Sequence, residues 1–89
     1  MKSEIELFRE EVLQCTKCDL AKSRQHVIYG EGNINGGLFL IGEAPGRDED
    51  TQGRPFVGKS GQLLDKILAA CGFTRNDHVF ISNIVKCRP

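Results

Sequence analysis

At 89 residues, with 39% hydrophobic and 27% charged side chains, the chain falls in the ordinary globular range and supports one small domain. Twelve Lys plus Arg balance twelve Asp plus Glu, so net charge gives no pull toward nucleic acid or an anionic membrane, and a DNA partner has to be argued from a site. No segment approaches the roughly 18 apolar residues of a membrane span, and "MKSEIELFREE" lacks an apolar stretch of signal-peptide length, which points to a cytoplasmic protein with no membrane partner. In a reducing compartment Cys15, Cys18, Cys71 and Cys87 read as metal ligands, reactive groups or buried thiols rather than a disulfide framework.

In chain order, Ser3 and Glu6 form an S-x-x-E capping box, and Ile5, Phe8 and Val12 recur at helical spacing, which predicts an amphipathic helix over 4–14. Its C-terminal end delivers "CTKC". Residues 22–37 are polar and glycine-rich except for "HVIY", which reads as a short strand or an extended cover segment. "GLFLIG", residues 37–42, is a continuous apolar run between glycines and predicts a strand buried on both faces of a parallel sheet. A polar loop follows. Ser60 then offers a cap for a helix whose face is Leu64, Ile67, Leu68 and Cys71, with Cys71 assigned to the core and Gly72 as the stop. "VFISNIV", residues 79–85, predicts a second strand. Strand, helix, strand makes a crossover unit, expected to be right-handed, whose ligand edge lies outside the carboxyl ends of the strands. Glu43 and Asn83 both fall there.

The expected fold class is α/β: the N-terminal portion of a doubly wound, mostly parallel sheet domain, cut after its second main strand. Residues 1–21 supply a helix and a cysteine pair, and residues 37–89 a strand, loop, helix and strand that carry the site. The open sheet edge of such a half-domain is expected to promote self-association.

Together "GEAPGRDEDTQGRPFVGKSGQLLD", "SNIVKCRP" and the early "CTKC" resemble the family 4 uracil-DNA glycosylases, the iron–sulfur branch of their superfamily, in which phage-type DNA polymerase-related proteins share the pattern. The resemblance runs over nearly the whole chain, in order. It implies a hydrolase of DNA base-excision repair, a glycosidase that cleaves the N-glycosidic bond of uracil in DNA and leaves an abasic site.

Cleaving that bond builds positive charge on the sugar and negative charge on the departing base, so a fixed carboxylate either stabilises the first or orients the attacking water. Glu43 suits both roles; by itself it reads rather as a cap accepting backbone N–H bonds in its loop, and the resemblance reverses that preference. Gly42, Ala44 and Gly46 lack bulk where a flipped base slides against main chain, and Pro45 stiffens the turn; an ordinary tight turn has the same composition. Phe56, in "GRPFVG", has no helix or strand periodicity to explain it and offers a stacking platform for a base or, alternatively, a loop anchor. Asn83 interrupts an apolar strand, and its amide matches uracil by accepting from N3–H and donating to O4; the plain alternative is a strand-end Asn bonded to backbone. The resemblance alone gives Glu49 a role, lying against C5 of the base to exclude the thymine methyl. In isolation it belongs to the acidic run Asp48, Glu49 and Asp50, which reads as solvated surface.

Cys15 and Cys18 can clamp one metal from a single turn, with Cys87 arriving from beside the second strand. The resemblance implies a [4Fe–4S] cluster whose fourth cysteine lies downstream of Pro89, and zinc is the alternative metal. It also implies a His-containing motif, further along, that stabilises charge on uracil O2; His26 and His78 match no such context and read as surface groups. The 89 residues by themselves are therefore expected to be inactive. Two other readings stay open, a non-catalytic remnant that binds base or DNA and a zinc-stabilised interaction module.

Overall fold

The computed structural model describes residues 3–89. Helix α1 spans Glu4–Leu13, with Ser3 Oγ accepting from the Glu6 amide at 3.2 Å as the N-cap. None of its residues is fully buried: Ile5 and Phe8 of its apolar face remain half-exposed. A single 3₁₀ turn, Asp19–Lys22, follows the Cys15–Cys18 stretch.

Residues 26–29 form no strand. They run as an extended cover, anchored by the fully buried Ile28, whose amide donates to the Lys86 carbonyl at 2.8 Å. The two-residue strand β1, Glu31–Gly32, comes just after them. Strands β2, Leu38–Gly42, and β3, Val79–Asn83, complete a three-stranded sheet in the order β1-β3-β2. The β2–β3 pair is parallel, as the apolar runs predict, whereas β1 lies antiparallel on β3. The sheet is thus mixed within the α/β class.

Burial follows strand position. Central β3 is buried at every residue, while β2, an edge strand, alternates. Leu38 and Leu40 face Leu68, Val79 and Ile81 in the core, to which Phe56 and Leu64 add partial cover. Each fully buried aliphatic of this kind contributes roughly 1.5–3 kcal/mol of transfer free energy. On the other face Phe39 and Ile41 are 53% and 63% exposed, so the expectation of a β2 strand buried on both sides is corrected. That face carries a ladder of rings, Phe8 on Tyr29, Tyr29 on Phe80 and Phe80 on Phe39, with centroids 5.3–6.1 Å apart.

Two helices join β2 to β3. The acidic run is not a loop but the short helix α2, Arg47–Gln52, ended by Gly53 in the left-handed region. Its Asp50 is not solvated surface either: it is 2% exposed and its carboxylate accepts from the Gln25 and His26 amides at 2.8 and 3.1 Å. Helix α3 spans Lys59–Ala70 and starts one residue before Ser60, with Gly58 as its N-cap. At its end Gly72, φ 80°, closes a Schellman turn in which the Phe73 amide donates to Leu68 O and the Gly72 amide to Ala69 O. Cys71 is the C-cap and is exposed, which corrects its assignment to the core. Among the described residues no helix is long and apolar enough to cross a membrane.

Candidate active site

The parallel register pairs Gly42 with Asn83, so β2 and β3 end side by side. The chain then closes over that edge, with the Ile84 and Val85 amides donating to the Gly42 and Glu43 carbonyls at 3.0 and 2.9 Å. A cavity of about 360 Å³ opens at this point, lined by Gly42, Glu43, Ala44, Gly46, Glu49, Phe56, Ser60 and Asn83. Of the residues expected to meet a base, Pro45 alone is not part of the lining; it is buried. Ser60, assigned by sequence to helix capping, lines the cavity instead.

Gly42 is where the parts converge. A Cβ placed there would lie 2.5 Å from both Asn83 Oδ1 and Phe56 Cζ, so only glycine lets the amide and the ring share this corner. Asn83 is 3% exposed overall; its side-chain amide makes no hydrogen bond among the described residues, and its polar atoms are not fully enclosed but open on the cavity. A buried amide left unpaired is costly unless something else occupies its bonding positions, and here it borders an open cavity. The Glu43 carboxylate is exposed and likewise carries no ion pair or hydrogen bond among the described residues.

Glu49 is already engaged. Its Oε1 accepts from the Gly46 amide at 2.9 Å, and its Oε2 from the Val57 and Gly58 amides at 2.9 and 2.8 Å. Burial acts to raise its pKa, but the backbone N–H bonds outweigh that and hold the carboxyl below its ordinary range. This one side chain ties the GEAPG loop, the RPFVG loop and the start of α3 together. Behind the same loop, the Arg75 guanidinium donates to the carbonyls of Pro55 and Phe56. Sequence reasoning missed Arg75 and Gly61. Arg75 carries no local signal, since its partners lie 19 and 20 residues away. Gly61 does carry one, because a glycine in the first turn of an otherwise regular helix marks a close approach; a Cβ there would overlap the Phe56 carbonyl.

Beneath the strand edge, Lys86 Nζ donates to Ser82 Oγ at 2.6 Å and to Asn83 O at 2.5 Å, and burial pushes its ammonium below the ordinary lysine value. A second cavity, about 630 Å³, opens against the end of α1, and Lys86, Cys15, Cys18 and Cys87 all line it. Arg24 Nη1 donates to Cys87 Sγ at 3.3 Å. The thiols share this cavity without converging: among the described residues no three metal-ligating side chains are gathered tightly enough to hold an ion. Neither histidine lines either cavity, His26 Nδ1 lying 2.5 Å from Asp50 O and His78 Nδ1 accepting from the Thr74 amide.

The sequence pattern of the uracil DNA glycosylase superfamily matches residues 29–89. The chain belongs to that superfamily. It is 47% identical over its whole length to a type-4 uracil-DNA glycosylase of Archaeoglobus fulgidus, of which it covers 44%. It is 47% identical over 85 residues to a protein of the same name from Thermotoga maritima, covering 96% of this chain and 44% of that protein. A further relative of that name, from Pyrobaculum aerophilum, is 48% identical over 86 residues, covering 97% of this chain and 43% of that protein. The chain thus spans less than half the length of these curated relatives.

Proposed function

We propose that these residues are the water-side and base-reading part of an enzyme that hydrolyses the N-glycosidic bond of uracil in DNA, an early step of base-excision repair. The observation that carries this is the Asn83 amide, without a hydrogen bond among the described residues and open to a cavity it shares with an aromatic ring and a free carboxylate. In this reading a uracil flipped out of DNA stacks on Phe56. Asn83 Oδ1 accepts from N3–H and its NH2 donates to O4. Gly42, Ala44 and Gly46 give the base room along the main chain, and Glu49 stands where C5 would lie. Glu43 orients the attacking water or stabilises the cationic sugar as the bond breaks.

Cys15, Cys18 and Cys87 supply a thiol donor set of the kind that suits iron–sulfur or zinc. We favour a [4Fe–4S] cluster, as the resemblance to the iron–sulfur branch of the superfamily implies, with zinc as the alternative. A group bound there would cross-link the end of α1 to the segment after β3. The chemistry of base release is assigned to the other cavity.

One observation favours a second reading for these 89 residues taken by themselves. No histidine borders the base cavity, so nothing described here neutralises charge developing on uracil O2. Losing a preorganised donor of that type costs around 10²–10³ in rate. The isolated chain then binds uracil-containing DNA without appreciable turnover.

The test is Asn83→Asp in a chain extended to the length of its relatives, followed by single-turnover cleavage of matched uracil and cytosine oligonucleotides. Aspartate loses the donor to O4 and gains an acceptor for the cytosine N4 amine. Uracil excision should fall by on the order of 2–4 kcal/mol of transition-state stabilisation, with some cytosine excision appearing. A uracil rate within about threefold of the parent would make Asn83 a structural strand-end residue and remove the base-reading assignment.

A further inference from the structure

Phe56 has φ 52°, the one non-glycine residue with positive φ among those described. A side-chain residue is disfavoured there and persists only where its surroundings over-determine it. Those surroundings grip the peptide groups on both sides of Phe56 with charged side chains. Arg75, its side chain only 13% exposed, donates Nη2 to Pro55 O in the peptide before Phe56 and Nη1 to Phe56 O, at 2.8 Å, in the peptide after it. On the C-terminal side Glu49 Oε2 accepts from the amides of Val57 and Gly58. Underneath, Gly61 leaves space for the Phe56 carbonyl and nothing larger.

We propose that Arg75 and Glu49 are positioning residues that hold the Phe56 main chain in this conformation and so fix its ring beside Gly42, ready to receive the base. The proposal rests on Phe56 being the stacking ring. A planar guanidinium suits the task because its fork reaches two carbonyls at once while its remaining edge meets anions. In Arg75 the fork nitrogen Nη1 also meets Asp65 Oδ1 at 3.0 Å, while Nε lies 3.3 Å from Glu31 Oε2 as an ion pair without a hydrogen bond. Those two ion pairs suggest a plainer role, in which Arg75 only glues together anions of the surface. The two roles differ in what a lysine can replace. Lysine restores the charge facing Glu31 and Asp65 but is a point donor without the fork.

The experiment is NMR on the 89-residue chain, reading the nuclear Overhauser contact between the Phe56 ring and the Gly42 α-protons, with Ile81 amide and methyl shifts reporting the intact core. Arg75→Gln and Arg75→Lys should both lose that contact by at least threefold in intensity while the Ile81 signals stay in place. Glu31→Gln and Asp65→Asn, which remove the anions and leave the fork, should retain it. Retention of the contact in Arg75→Lys, or its loss in Glu31→Gln, overturns the proposal in favour of ionic glue. Should Arg75→Gln displace the Ile81 signals, the decision passes to Arg75→Lys and to Glu49→Gln, which approaches Phe56 from the other side and should weaken the same contact; an undiminished contact in both overturns it.

A second measurement separates this proposal from the stacking role. In a chain extended to the length of its relatives, Arg75→Lys should slow uracil excision at least tenfold at saturating DNA. A displaced ring with excision within threefold of the parent leaves the clamp standing and sinks the stacking role of Phe56. A ring still in place with excision reduced sinks the clamp.

Discussion

The two cavities are built in opposite ways. The base cavity is held by bonds already made: sheet register sets Gly42 against Asn83, and Glu49 takes three backbone amides of the loops that face it. The thiol cavity is an arrangement of side chains around a space, at the end of a helix with no fully buried residue, and its cysteines do not converge. On the proposed function, the difference follows from what each would bind. A flat neutral base gains from groups fixed before it arrives. A metal group supplies strong bonds of its own, so its ligands can be gathered on binding and the metal's free energy becomes folding free energy.

The largest effect that sharpens this contrast is expected at Glu43. In a chain extended to the length of its relatives, Glu43→Gln should lower single-turnover excision by roughly 10²–10³-fold, the scale for removing one preorganised electrostatic group. In the proposed role the carboxylate acts on water and sugar, so the preference for uracil over cytosine should be unchanged, and a changed preference would place Glu43 on the base edge.

Gly42→Ala comes next. A Cβ 2.5 Å from both the Asn83 amide oxygen and the Phe56 ring must push one of them aside, and displacements of about 1 Å cost around 10²-fold in rate. Excision by the variant within threefold of the parent would show that the cavity adapts, and would erase its contrast with the thiol cavity.

The prebuilt side should also be visible in stability. Asp50→Asn leaves the Gln25 and His26 amides facing a weaker acceptor in a site 2% exposed, which should cost about 1–3 kcal/mol in urea unfolding. A loss under about 0.5 kcal/mol, the range of ordinary surface changes, would make that carboxylate incidental.

Acid should uncouple the same loops. The folded-state pKa of Glu49 is depressed, as is that of Glu31, where a hydrogen bond from Arg54 is the largest cause and outweighs burial. For depressed carboxyls the stabilisation is fully present above the unfolded pKa, ordinarily 4.5, and disappears as pH falls through the folded value. The stability difference between parent and Glu49→Gln should therefore be greatest near neutrality and shrink below that carboxylate range. A difference independent of pH from 7 down to about 3, below the ordinary carboxylate pKa, would mean that the charge of Glu49 does not hold the loops.

The smallest effect is expected on the other side. Cys18 is exposed and its thiol makes no hydrogen bond among the described residues; its one ordering contact, the carbonyl that accepts from the Ala21 amide, is kept by serine. Cys18→Ser should shift metal-free unfolding by less than about 0.5 kcal/mol. A larger loss would show the thiol region to be as prebuilt as the base cavity.

By itself the sequence determined the elements that local chemistry dictates. These are the Ser3-capped helix, the helix stopped at Gly72, the two apolar strands and their parallel pairing, because caps, periodicity and left-handed glycines act within a few residues. It also placed Glu43 and Asn83 at one edge, since parallel strands joined by a crossover end together. Tertiary structure alone decided burial and long-range polar pairing. An apolar run cannot say whether it will be central or at an edge, so Phe39 and Ile41 emerged exposed while β3 is buried throughout. Nor can an acidic run say which carboxylate the fold will bury: Asp50 meets amides 24 and 25 residues away, Glu49 meets those of the Phe56 loop, and Asp48 stays at the surface. Arg75 and Cys71 fall under the same limit, one enclosed and one exposed against local expectation, because desolvation and hydrogen-bond partners are set by whichever distant backbone the fold brings alongside.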